Sequence, residues 1–277
     1  MLHLLGIEYS KVKNYTTFWV MLIIYATLIP LIIWGISAFH FGQEGTPMYW
    51  EGSSVFKFPV VWNGVTWVAS WFNLLLGILI VLIICNDFNY RTFKQNVIDG
   101  LSKQQVIASK FLFLIALAMA VTLYTFLLGT VFGFIFSDGG NMLDDIYYVG
   151  IYFIQTIGYF TLAFLFSILL RKTALSIIIF TLAIIVVNPL ISLTISLTIG
   201  DNSIVQFFPI NSISELTPFP LQWLTDLVQS NPDPEAQSQG MEKVKMIISQ
   251  PIRTVVATIY IAIFVFLSNL ILKKRDL

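Results

Sequence analysis

Apolar positions gather in six long runs along the chain, at residues 18–39, 65–85, 111–136, 147–170, 174–199 and 254–272. A helix needs ~20 mainly apolar residues to cross ~30 Å of hydrocarbon, and the six runs match that need. The run at 111–136 is long enough to cross with tilt. The pattern predicts an all-α membrane protein, a six-helix transmembrane bundle forming a single domain over residues 1–277. An even number of spans puts both termini on one side.

Three stretches do not span. Residues 1–15 carry Leu2, Leu5, Tyr9 and Val12 on one helical face, with His3, Ser10, Lys11 and Lys13 elsewhere. That pattern predicts an amphipathic helix lying in the membrane interface. Residues 86–109 mix polar groups with Phe88, Tyr90, Phe93, Val97, Ile98 and Leu101. A short helix there would stop at Asp99-Gly100, glycine supplying the left-handed position. A second helix would start with Ser102 as its cap and run into the third span. Residues 200–252 are apolar in their first half but broken by Pro209, Pro218 and Pro220. Proline removes a backbone donor and clashes with the preceding turn, so this stretch predicts short external helices between spans five and six.

Composition narrows the class further. Hydrophobic residues make up 57% and charged residues 11% of the chain, whereas soluble domains are about a quarter charged. No segment has the mixed charge of a soluble domain. The net charge is zero, so no bulk attraction to nucleic acid is expected. Cys85 is the only cysteine, which excludes an internal disulfide. No small-residue cleavage site follows the first run, so it is expected to be a retained helix rather than a signal peptide.

The basic residues orient the bundle. With both termini cytoplasmic, Lys11, Lys13, Arg91, Lys94, Lys103, Lys110, Arg171, Lys172, Lys273, Lys274 and Arg275 lie inside, eleven of the 15. Only Lys57, Lys243, Lys245 and Arg253 lie outside. The positive-inside rule favours that arrangement.

Catalytic sets are missing. His3 and His40 fall on opposite sides of the membrane in this topology, against a histidine metal site. The chain has no His-Glu-x-x-His, no Gly-x-Ser-x-Gly and no Gly-x-x-x-x-Gly-Lys-Ser/Thr loop. An enzyme is not expected, and no cofactor or metal is assigned to this chain. The six runs contain no acid, which counts against a proton-coupled antiporter and an intramembrane aspartyl protease. Neutral polar residues do occur there: Asn73, Gln155, Asn188, Ser192, Thr194, Ser196 and Asn269. They either line a substrate path or bond helix to helix. Asn188-Pro189 interrupts the fifth run as a moving hinge or a static kink. Gly129-x-x-x-Gly133 in the third span would let two helices approach closely. Trp50, Trp62, Trp67 and Trp71 suit an interfacial aromatic belt.

Residues 87–110 resemble the signature of ABC-2-type transporter permeases. That pattern reads acid-x-x-x-Gly-Thr, then Pro eight positions on, then Ser-Arg, then Lys at the foot of the third span. Asp87 stands at the acid and Thr92 at the Thr. Ser102-Lys103 stands for Ser-Arg, and Lys110 for the Lys. Arg91 replaces the family's Gly and Gly100 its Pro, with the spacing kept. The motif covers about 25 residues, and the architecture of interfacial helix, six spans and broken external segment is similar along the whole chain.

The resemblance implies the membrane subunit of an ATP-driven exporter. A cytoplasmic coupling helix between spans two and three, carrying Asp87, Phe88, Tyr90, Arg91, Thr92, Phe93, Gly100, Ser102 and Lys103, would dock in a separate ABC ATPase subunit. ATP and Mg would be bound by that partner. Two copies, or this chain and a similar permease, would pair in the lipid of a bacterial cytoplasmic membrane. The substrate is not legible. The competing reading is a non-transporting scaffold or sensor of a cell-envelope complex, with residues 200–252 as its working part.

Overall fold

The computed structural model describes residues 2–41, 50–90, 92–98, 100–137, 139–199, 205–220 and 250–274. The protein is predominantly helical. Five of its described helices are long and apolar enough to cross a membrane, and a bent pair makes a sixth when counted as one span. Arg91, Asp99 and most of the 200–252 stretch, including 221–249, lie outside the described residues.

Helix α1, Leu2–Lys13, is followed by α2, Thr16–Ser37. The inner face of α1 carries Val12 and Glu8, both buried, with Leu5 half-buried, while Tyr9 is 50% exposed. The apolar face read from Leu5, Tyr9 and Val12 is therefore rotated. Glu8 lies one turn from Val12 and takes the inward position in place of Tyr9.

A two-residue antiparallel ladder, β1 His40–Phe41 and β2 Trp50–Glu51, leads into α3, Val61–Ser70, and α4, Asn73–Asn89. The axes of α3 and α4 differ by 46°. The break falls at Trp71-Phe72, inside the apolar run 65–85. Trp71 turns outward at 51% exposure, while Phe72 packs edge-on against Tyr25 at 6.0 Å. Hydropathy is unbroken there, so the bend is set by packing.

Helix α5, Thr92–Ile98, is one short piece. Its exit is a Schellman-type turn: Gly100 sits at φ +99°, and the Leu101 N–H donates to the Asn96 carbonyl at 3.0 Å. Ser102 then caps α6, Lys103–Phe136, with a reciprocal bond to Gln105. Ser102→Ala should cost about 1 kcal/mol of local stability, seen as faster amide exchange confined to the first turn of α6. At ~1.5 Å per residue, α6 is ~51 Å long, well beyond the hydrocarbon thickness.

Helix α7 is Tyr147–Leu170, and α8, Thr173–Leu182, passes through a π-helical turn at Ala183–Val187 into α9, Asn188–Ile199. The π turn ends two residues before Pro189. The ring of Pro189 would meet the carbonyl of Ile185 in a regular α-helix, and the wider turn relieves that contact. A short α10, Pro209–Ser214, and a final α11, Gln250–Lys274, complete the chain.

Helix α7 packs on α3, α4, α6, α8, α10 and α11. Polar residues bind the helices to one another. Tyr25 shares hydrogen bonds with Thr125 (3.1 Å) and Tyr152 (2.9 Å). Thr156 donates to Asn73. Gln155 donates to the Ser214 carbonyl and accepts from Thr217 at 2.8 Å. Asn188 bonds Asn211, which donates to Ser192. For Asn73, Gln155, Asn188 and Ser192 these are bonds between segments. Gly129 and Gly133 admit aromatic rings: a Cβ there would stand 2.9 Å from Trp62 and 2.4 Å from Phe58.

Candidate functional site

Three elements converge at the end of the fold that holds α1, the last turn of α4 and the first turns of α6. Asp87 comes from α4, Lys110 from α6 and Glu8 from α1. The Lys110 ammonium donates to both carboxylates. All three are buried: Glu8 and Lys110 at 1% exposure, Asp87 at 7%.

Each remaining carboxylate oxygen has a partner. Thr92 donates to Asp87 Oδ1 at 2.6 Å and to its carbonyl at 3.1 Å. Ser109 donates to Glu8 Oε1 at 3.2 Å. Lys11, on the rim, reaches Glu8 at 3.4 Å and Asp87 at 4.0 Å. Two carboxylates therefore face two ammonium groups. Removing charges from water costs several kcal/mol per ion unless geometry and hydrogen bonds compensate, and here every oxygen is engaged.

An aromatic layer adjoins the ions. Phe93 of α5 stacks on Phe88 of α4, centroids 4.6 Å apart. The Lys110 ammonium stands 5.6 Å over the Phe93 ring. Arg171, just past α7, stands 5.1 Å over Phe88. Asn89 donates to Thr173 at 3.0 Å. A cleft of about 200 Å³ opens beside the ions, lined by Glu8, Lys11, Tyr15, Asp87, Tyr90 and Thr92 among others.

The motif residues thus divide. Asp87, Phe88, Thr92 and Phe93 meet with Lys110 in one cluster. Gly100 and Ser102 shape the turn and the cap that follow, and Lys103 is exposed. Tyr90 and Ile98 point outward, at 76% and 82% exposure. Arg91 is outside the described residues. Asn188 and Pro189 lie in α9 and do not join the cluster. Sequence reasoning missed Glu8, Ser109 and Arg171 as members. Glu8 had a signal, being a lone acid one helical turn from Val12. Arg171, a base closing an apolar run, had none beyond topology. Among the described residues no group of three His, Cys, Asp or Glu side chains is placed to hold a metal.

Mechanically, the cluster makes α5 part of a block. Thr92 and Phe93 hold it to α4, Lys110 joins it to α6, and Glu8 adds α1. A push on α5 reaches three helices through buried ionic and aromatic contacts.

Among known proteins, a family described as "Protein of unknown function (DUF2705)" matches residues 51–277. No curated protein matches the chain.

Proposed function

The chain belongs to the DUF2705 family, and we propose that it is the membrane-spanning permease subunit of an ABC exporter. In this reading its helices form a six-span bundle with both termini in the cytoplasm of a bacterial cell. The bent pair α3–α4 is the second span, α1 lies in the inner interface, and α5 is the coupling helix. Two such subunits, or this one and a similar permease, pair around the substrate path. Separate ABC ATPase subunits bind beneath and supply ATP and Mg.

One observation supports this reading above the others. Asp87, Thr92 and Lys110, matched to the permease signature by spacing alone, close on a single buried cluster that fixes α5 to the feet of α4 and α6. A coupling helix has to transmit force, and a helix held only by solvated contacts would not. The outward Tyr90 and Ile98 supply apolar anchors suited to a protein groove.

The reading is tested by purifying the tagged full-length chain from its native membrane. A polypeptide with a Gly-x-x-x-x-Gly-Lys-Ser/Thr loop and ATPase activity should accompany it. The pair Tyr90→Glu and Ile98→Glu should lower recovery of that ATPase at least about tenfold, since charge in a desolvated apolar groove is costly. Membrane insertion and thermal stability should stay unchanged, because both side chains are exposed. Equal recovery of the ATPase with the paired variant would overturn the assignment.

A further inference from the structure

Arg171 is conspicuous among the basic residues. It sits at φ +55°, a left-handed conformation costly for a residue with a Cβ. Its backbone N–H closes α7 on the Ser167 carbonyl at 2.9 Å, which glycine would do without strain. Its Nε and Nη2 are buried and have no hydrogen-bond partner among the described residues. The guanidinium rests instead over the ring of Phe88. A planar, weakly hydrated guanidinium suits that contact better than an ammonium does.

We infer that Arg171 is a positioning residue, tying the α7–α8 turn to α5 through the stacked Phe88–Phe93 pair. The stack runs from the Arg171 guanidinium to Phe88, from Phe88 to Phe93, and from Phe93 to the Lys110 ammonium. It contains one cation over each ring and joins four elements: the α7–α8 turn, α4, α5 and α6. The Asn89–Thr173 hydrogen bond runs beside it. The ion cluster alone links α5 to α1, α4 and α6. The stack brings in α7, which is packed against most of the other helices. Its consequence for ATP turnover rests on the exporter reading; the mechanical link does not.

The test uses the full-length chain in lipid nanodiscs, with amide exchange read over residues 92–98. Arg171→Gln removes the cation. Arg171→Gly also removes it but relieves the backbone, so the fold is kept or strengthened. Lys172→Gln, at an exposed neighbour, is the control for charge. Both Arg171 variants should exchange about tenfold faster across α5, the loss of one desolvated cation–ring contact. Arg171→Lys should fall between them and the unsubstituted chain, and Lys172→Gln should not differ from that chain. In the complex with its ATPase, Arg171→Gly should hydrolyse ATP several-fold more slowly with ATPase recovery unchanged. Unaltered α5 exchange in both Arg171 variants, an equal rise in Lys172→Gln, or unaltered turnover would overturn the inference. If the unsubstituted chain captures no ATPase, the exporter reading falls instead, and the exchange measurement decides the stack by itself.

Discussion

Lys110→Leu is expected to destabilise the chain by about 3–5 kcal/mol, the loss seen when one partner of a buried ion pair is removed. The substitution is apolar and close in volume, though two atoms shorter, so the lost charge outweighs any cavity it leaves. What it leaves behind is Glu8 and Asp87 facing each other with one ammonium, on the exposed rim at Lys11, in place of two. The two carboxylates then draw in water, which loosens α1 from α6. Cys85 supplies the reporter. It is the only thiol, is buried, and lies two residues before Asp87. Its labelling by a thiol-reactive fluorophore during heating should begin at a markedly lower temperature in Lys110→Leu. Neutralising the buried set, with Glu8→Gln, Asp87→Asn and Lys110→Met together, should recover most of the loss, because the one charge left, Lys11, is on the rim and reaches water. A Lys110→Leu chain that melts with the unsubstituted one would show that the cluster does not bind these helices together.

The second large effect is expected at Gly133. A Cβ on this residue would stand 2.4 Å from the Phe58 ring, far inside contact distance. That ring has little room to retreat. Phe134 meets it edge-on at 5.5 Å and Trp62 lies at 6.0 Å. The Phe58 N–H donates to Ser137 at 2.6 Å, which fixes the backbone as well. Gly133→Leu should therefore cost at least ~1–3 kcal/mol, the usual range for overpacking, and separate α6 from the segment before α3. Adding Phe58→Ala should restore part of the stability by vacating the space. The same thermal labelling would measure it, and a Gly133→Leu chain of unchanged stability would mean that the ring does not pack there.

The long helices were legible because an apolar run of ~20 residues has few other folded solutions. The α5–α6 junction was legible because its chemistry is local: Gly100 at a positive φ and Ser102 at a cap act within four residues of themselves. The α3–α4 bend was not, since Trp71 and Phe72 differ in environment, not in hydropathy. The π turn was half legible, Pro189 marking the place but not the form of the distortion. The Gly129-x-x-x-Gly133 spacing implies close approach of two helices; Trp62 of α3 meets Gly129, but the group at Gly133 is a ring from before α3, beyond local reading. At the candidate site, spacing pointed to Asp87, Thr92 and Lys110. It could not supply Glu8, whose partner lies 102 residues away, nor Arg171, whose partner is the face of a ring.

That separation of 102 residues between Glu8 and Lys110 also bears on how the protein is made. Synthesis proceeds at about 5–20 residues per second, so roughly 5–20 s pass between the appearance of one and of the other. Throughout that interval the first helix has no ammonium on α6 to bind. Its acid side stays wetted until α6 is delivered. Its docking follows the delivery of α6, and a bulky fusion placed ahead of Leu2 would be felt at that step.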